Sequence, residues 1–104
     1  MRLEHYSSEQ LKGEIVKIVH KHLNTETYRI FFFGSRVSGG GNERSDIDVG
    51  VEGPAQVPSR EWLAIQEEIE NLPTLYKIEI VDFKRVGKEF REVALQRTES
   101  LTSR

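Results

Sequence analysis

A run of six residues, Tyr28-Arg29-Ile30-Phe31-Phe32-Phe33, constrains the fold of this 104-residue chain more than any other segment. Aromatic and β-branched residues are favoured in strands, and a short apolar run is typical of a strand that is buried on both faces. Gly34 ends the run. The sequence therefore predicts a sheet with a fully buried strand, and 37% hydrophobic residues are enough for such a core.

The other elements follow from periodicity and from the residues that interrupt it. Apolar residues at helical spacing predict a helix from about Ser7 to Leu23 and a second one that begins at Ser59 and stops at Pro73. Alternation predicts strands over Asp46–Val51 and Lys77–Asp82, and the last helical segment runs from about Gly87 to Leu95. The order helix, strand, strand, helix, strand, helix indicates a small α/β (α+β) fold, with a mixed three- to four-stranded sheet packed with helices.

The length predicts a single domain over residues 1–104, with a core at about 8–95 and a frayed tail at 96–104. The net charge of −2 is evenly spread and argues against a chain that coats nucleic acid through bulk charge. The absence of cysteine excludes disulfide scaffolds and thiol nucleophiles. With neither an apolar run that could span a bilayer nor a signal peptide, a cytoplasmic protein without membrane contact is expected.

The chain contains only three aspartates, Asp46, Asp48 and Asp82. Residues at i and i+2 of a strand point to the same face, so Asp46 and Asp48 are expected about 6.5–7 Å apart along the strand. Two such carboxylates repel unless a cation lies between them, and two-metal phosphoryl-transfer sites use this arrangement. If the strand that ends at Asp82 lies beside Asp46–Val51, all three carboxylates can converge. The alternatives are solvated carboxylates on an edge strand and, for Asp82, a cap for the next helix.

The pair Gly34-Ser35 follows the buried strand, and a short helical turn that begins near Ser35 is possible. Such a site offers backbone N–H groups and a hydroxyl to an anion, without a side chain at Gly34. A simple strand-ending turn is the alternative for this pair taken alone. Gly39-Gly40-Gly41 is not a P-loop, because no GK[ST] follows it, and we interpret it as a flexible turn.

Gly34-Ser35, ten residues, and then Asp46-Ile47-Asp48 match the G-S-x10-D-x-D signature, and this part of the chain resembles the minimal nucleotidyltransferases of the DNA polymerase beta-like superfamily. The phrase FFFGSRVSGGGNERSDIDVGV resembles that family over its whole length, and IEIVDF is similar to the strand that carries the family's third aspartate. The resemblance covers residues 11 to 90.

The resemblance implies a Mg²⁺-dependent nucleotidyltransferase. Gly34 and Ser35 would hold the triphosphate of ATP, with Arg36 beside them as a further nucleotide-binding residue. Asp46, Asp48 and Asp82 would be the catalytic residues and the ligands of two Mg²⁺ ions, and Asp82 would also help to deprotonate the attacking hydroxyl.

Chains of this length resemble the antitoxin half of toxin–antitoxin pairs. The resemblance implies a helical HEPN ribonuclease as partner in a hetero-oligomer, with AMP transferred from ATP to a tyrosine hydroxyl of that toxin. Two alternatives stay open: an antitoxin that neutralises its partner by binding alone, and a nucleotidyltransferase whose acceptor is a small molecule or RNA.

Overall fold

The computed structural model describes residues 7–24, 26–38 and 46–101. In chain order, the elements in these ranges are α1 (Ser8–His22), β1 (Arg29–Phe33), α2 (Ser35–Ser38), β2 (Ile47–Glu52), α3 (Ser59–Glu70), β3 (Ile78–Asp82), α4 (Lys88–Ala94) and β4 (Glu99–Ser100). The three helices and three strands expected from periodicity are confirmed, as α1, α3 and α4 and as β1, β2 and β3. The expected turn at Gly39–Gly41 lies outside the described residues. None of the described helices is both long and apolar enough to cross a bilayer.

The four strands form one mixed sheet in the order β3-β2-β1-β4. Strand β1 pairs antiparallel with β2 and with β4, whereas β2 and β3 run parallel. Parallel neighbours need a crossover connection, and α3 provides it between β2 and β3. The mixed sheet packed with helices confirms the predicted fold class.

Helices α1 and α3 pack against one face of the sheet. The hydroxyl of Ser7 accepts a hydrogen bond from the Gln10 amide at 3.3 Å, which caps α1 at its expected start. The buried apolar residues of this layer come from both helices, β1 and β2: Leu11, Ile15, Ile18, Val19, Ile30, Phe32, Ile47, Val49, Ile65 and Ile69. This face holds the larger of the two hydrophobic clusters among the described residues.

The opposite face carries an aromatic cluster formed by Phe31, Phe33 and Phe83. Gly50 makes room for it, because a Cβ at that position would lie 2.5 Å from the Phe31 ring and 2.7 Å from the Phe83 ring. Phe90 of α4 packs on the cluster and stays 46% exposed. Strand β1 is therefore buried on both faces, as the apolar run predicts.

The two-residue strand β4 lies in the segment that was expected to fray. Glu99 pairs with Phe32 and Ser100 with Phe31, and the Leu101 amide donates to the Ile30 carbonyl at 3.0 Å. Leu101 also packs against the larger hydrophobic cluster. The expectation of a frayed tail is wrong for Glu99–Leu101, because the exposed edge of β1 provides hydrogen-bond partners that a local reading of a polar segment does not reveal. Residues 102–104 lie outside the described part.

Candidate active site

Asp48 lies near the start of β2, on the face that carries the aromatic cluster. It pairs in register with Phe33 of β1 and with Glu79 of β3. Side chains of paired residues in neighbouring strands share one face, so Asp48 and Glu79 are side by side. Asp46 comes directly before β2 and, like Asp48, is partly buried. The strand expected at Asp46–Val51 therefore begins at Ile47, and Asp46 precedes it.

The pKa of the Asp48 carboxyl is raised above its ordinary value. Burial is the main cause, and the negative charges of Glu79 and then Asp46 add to it. Two neighbouring acidic side chains thus act on the Asp48 carboxyl at the start of β2. A cation placed among them would relieve both the repulsion and the cost of burial.

Gly34 lies directly against Asp48. Its φ is +85°, and a Cβ at this position would be 2.2 Å from Oδ2 of Asp48. Both observations require glycine, since other residues rarely adopt this backbone conformation and no side chain fits the space. The turn after β1 is thereby brought against the carboxylate, although ten residues separate Ser35 from Asp46.

The short helix α2 begins at Ser35, directly after Gly34, and the Val37 amide donates to the Gly34 carbonyl at 3.1 Å. Arg36 extends toward the start of β3, where its Cζ lies 5.0 Å from the centre of the Tyr76 ring. The proximity of Gly34 to Asp48 agrees with the expected arrangement. Nucleotide contacts of Gly34, Ser35 and Arg36 stay predictions.

Asp82 lies away from this group. It pairs in register with Val51, and residues 48 and 51 of one strand point to opposite faces. The Asp82 carboxylate accepts hydrogen bonds from the amides of Val57 at 2.8 Å and Lys84 at 2.9 Å. It also forms an ion pair with Nε of Arg85 at 3.3 Å, and its side chain is 1% exposed. The expectation that Asp82 converges with Asp46 and Asp48 is wrong, because β3 neighbours β2 in a register that places Asp82 on the other face.

Glu79 occupies the position beside Asp48 that was expected for Asp82. It is 51% exposed, and Lys77 pairs with it at 3.5 Å. The sequence does contain an indication, since Glu79 is an acidic residue in the middle of the otherwise apolar strand Ile78–Val81. Only the parallel register of β3 with β2 shows that this glutamate lies beside Asp48.

The acidic group has the donor chemistry of a Mg²⁺ site. Hard divalent cations take carboxylate oxygens, and Asp46, Asp48 and Glu79 would hold the ion. Within the described ranges 7–24, 26–38 and 46–101, no three acidic or histidine side chains are assembled closely enough to hold a metal ion. In this structure the ammonium group of Lys77 forms an ion pair with the Glu79 carboxylate. Metal binding by these residues would thus require their side chains to rearrange.

Comparison with known proteins gives a family for this chain. Residues 13–104 match the family model described as "Polymerase beta, Nucleotidyltransferase". No curated protein matches the chain.

Several solved structures with a similar fold are toxin–antitoxin complexes. A toxin–antitoxin structure with AMP-PNP superposes with a TM-score of 0.67 at 20% identity, over 88% of this chain and 72% of the other. A complex of a tri-AMPylated HEPN toxin of Shewanella oneidensis with an MNT antitoxin gives 0.64 at 19% identity, over 90% and 71%. The MntA-HepT complex gives 0.63 at 19% identity, over 89% and 71%. At these identities the likeness concerns the fold, and the family match over nearly the whole length carries the assignment: the chain belongs to the polymerase beta nucleotidyltransferase family.

Proposed function

We propose that this protein transfers AMP from ATP to a hydroxyl group of a partner protein and so acts as a cytoplasmic antitoxin. The observation that carries the proposal is the contact between Gly34 and Asp48, with Glu79 beside them. It joins the two halves of the G-S-x10-D-x-D pattern in space. A tight glycine turn against a crowded carboxylate is an arrangement that can hold a phosphate chain next to bound cations.

In the proposed reaction, the acceptor oxygen attacks the α-phosphorus of ATP. The bond from that phosphorus to the oxygen bridging the α- and β-phosphates breaks, pyrophosphate leaves, and the hydroxyl proton passes to a nearby base. Asp46, Asp48 and Glu79 would hold the cations, and the turn at Gly34-Ser35 would orient the triphosphate. Bound Mg²⁺ would neutralise phosphate charge and favour the deprotonated acceptor. The residues of this chain contribute mainly positioning.

The acceptor class is supported by the structural neighbours. One of them contains a tri-AMPylated HEPN toxin together with an MNT antitoxin, and another contains AMP-PNP. A helical HEPN-type ribonuclease with an acceptor tyrosine is therefore the partner that we propose, in a hetero-oligomer with this chain. Asp46 and Asp48 are only partly buried and Glu79 is 51% exposed, which supports contact of these side chains with a partner.

The test is transfer of label from ATP labelled at the α-phosphate to a HEPN-type protein encoded beside this one. We expect retained label with Mg²⁺, a mass increase of one or more AMP units on the partner, and loss of both in Asp48→Asn. Glu67→Gln, which removes an exposed carboxylate of α3 in the same way, is the matched control and is expected to keep full transfer. Absence of label on the partner, with a protein that binds ATP, would contradict a protein acceptor.

An antitoxin that acts by contact alone is the second candidate. The observation in its favour is that, among the described residues, the acidic side chains are not gathered into a metal-binding group and Glu79 is paired with Lys77. Neutralisation of the toxin by Asp48→Asn at full strength would support this candidate. Label that appears on RNA or on a small molecule, with none on protein, would instead indicate a different acceptor.

A further inference from the structure

We infer that Tyr76 is a positioning residue of this site, which holds the turn Gly34–Ser38 in place through the side chain of Arg36. The inference rests on the proposed function, because this turn is the proposed triphosphate site. It assigns Arg36 a different part from direct nucleotide binding. Arg36 and Tyr76 are forty residues apart in the sequence, so the contact closes a long loop of the chain.

The contact between the two side chains is a cation–π interaction. The guanidinium carbon lies 5.0 Å from the centre of the Tyr76 ring, within the range of such contacts. Both residues are partly buried, and Nη2 of Arg36 is inaccessible to solvent. Because burial removes competing water, the contact constrains Arg36 more than it would on an exposed surface.

Tyr76 is itself anchored to the framework of the site. Its amide donates to Oγ1 of Thr74 at 3.2 Å, and its ring packs against the larger hydrophobic cluster. The carbonyl of the next residue, Lys77, accepts from the Ile47 amide at 2.9 Å. Ile47 lies between Asp46 and Asp48, so the Tyr76 backbone is tied to the carboxylate strand at the position where the proposed metal ligands begin.

These contacts connect the turn Gly34–Ser38 to the strand that carries Asp48, both directly and through Tyr76. On one side Gly34 lies against Asp48. On the other side Arg36 lies on Tyr76, and Lys77 is bonded to Ile47. Since α2 is only four residues long, it has little stability of its own. The turn is therefore held at Gly34 and at Arg36, while Val37 packs against the larger hydrophobic cluster, and loss of the Tyr76 ring would remove one of the contacts of Arg36.

The experiment is a double-mutant cycle on Arg36 and Tyr76, with the affinity for Mg-ATP measured by calorimetry. Tyr76→Leu and Arg36→Met are each expected to lower the affinity for Mg-ATP about five-fold. The double variant is expected to have an affinity no lower than that of the more weakly binding single variant. Tyr76→Phe keeps the aromatic ring and should bind Mg-ATP with the affinity of the wild type. Leu75→Ala is the matched control, since Leu75 is fully exposed next to Tyr76.

Hydrogen exchange at the Val37 amide tests the same inference without nucleotide. That amide bonds to the Gly34 carbonyl, so it reports opening of the turn. We expect faster exchange in Tyr76→Leu and not in Leu75→Ala, while the amides of β1 keep their protection and show that the fold is intact.

Two results would overturn the inference. One is unchanged Val37 exchange in Tyr76→Leu. The other is wild-type ATP affinity in Tyr76→Leu together with a large loss in Arg36→Met, which would assign Arg36 to direct phosphate contact. A wild-type protein that does not bind ATP would contradict the proposed function instead, and the exchange measurement would still decide the part of Tyr76.

Discussion

Single residues determine how closely the turn after β1 approaches the Asp48 carboxylate. Gly34 combines a left-handed backbone conformation with the absence of a side chain, and Asp48 fills the space where its Cβ would stand. Asp48 is also partly buried, and this burial, together with the negative charges of Glu79 and Asp46, raises its pKa. The site is therefore costly to the protein without its ligands, which is typical of residues held for function rather than for stability.

Replacement of Gly34 by alanine is expected to damage the site and the fold together. The positive φ costs about 1–2 kcal/mol for a residue with a Cβ, and the clash displaces Asp48 as well. Urea unfolding and Mg-ATP binding would both report the change. Gly13→Ala is the control: with nothing within 4 Å of its Cβ in helix α1, it should instead stabilise the protein, by about 1 kcal/mol. Equal effects of the two substitutions would contradict this account of Gly34.

Asp48→Asn is expected to be more stable than the wild type at neutral pH in the absence of Mg²⁺. The folded protein raises the Asp48 pKa, so it loses stability relative to the unfolded chain as the pH rises from the ordinary aspartate pKa through the raised one. The advantage of the variant should shrink at acid pH, where Asp48 is protonated in both states. Thermal unfolding between pH 3 and 8 measures it, and a variant that is less stable at every pH would contradict the prediction.

At the scale of elements, alternation along β3 puts its two acidic residues on opposite faces, and the register with β2 decides which of them lies beside Asp48. Glu79 faces the site beside Asp48, whereas Asp82 faces the helices beside Val51. Asp82 joins the loop before α3 to the turn after β3 through the amides of Val57 and Lys84, and Arg85 extends this link by donating to the Val57 carbonyl at 2.6 Å. Its part is structural.

The pair Asp82→Asn and Glu79→Gln tests this division. Asp82→Asn is expected to lower the free energy of unfolding by about 3 kcal/mol, since an amide replaces a buried carboxylate that serves two backbone donors and Arg85. Glu79→Gln, at a half-exposed position, should change stability by less than about 0.5 kcal/mol and yet weaken Mg²⁺ binding. Denaturant titrations and Mg²⁺ titrations distinguish the two, and the reversed pattern would restore Asp82 to the site.

For the whole molecule, the arrangement of layers leaves the site accessible. The long helices α1 and α3 cover one face of the sheet, and the other face carries the aromatic cluster and the acidic residues. The short helix α4 is held there by Glu52, which accepts hydrogen bonds from Arg29 and Arg91. Among the described residues, Asp48 and Glu79 therefore lie on the face that α1 and α3 leave uncovered.

Binding of Mg-ATP should stabilise the whole domain. A ligand that binds only the folded state at a hundred times its Kd adds about 2.7 kcal/mol, which shifts Tm by several degrees in a domain of this size. We expect this shift in wild type with both Mg²⁺ and ATP present, and none in Asp48→Asn. Differential scanning fluorimetry measures it, and an equal shift in the variant would show that the nucleotide binds elsewhere.

Short-range sequence patterns were sufficient to predict most of the secondary structure of this protein. The doubly buried strand, the alternation around Asp48 and the capped start of α1 depend on neighbours within a few residues, and they were predicted closely. The pattern of Gly34, Ser35, Asp46 and Asp48 was also enough to indicate the family. Strand β4 was missed, because its two residues are ordered by the edge of β1 and not by their own propensity.

What the sequence by itself determined is the set of elements and the glycine and aspartate pattern, because both are written in short-range spacing. What only the tertiary structure decided is which acidic residue of β3 lies beside Asp48. Alternation along β3 separates residues 79 and 82 onto opposite faces, but it does not say which face meets Asp48. That choice is made by the parallel register with β2, which depends on how α3 connects the two strands and packs on one face of the sheet.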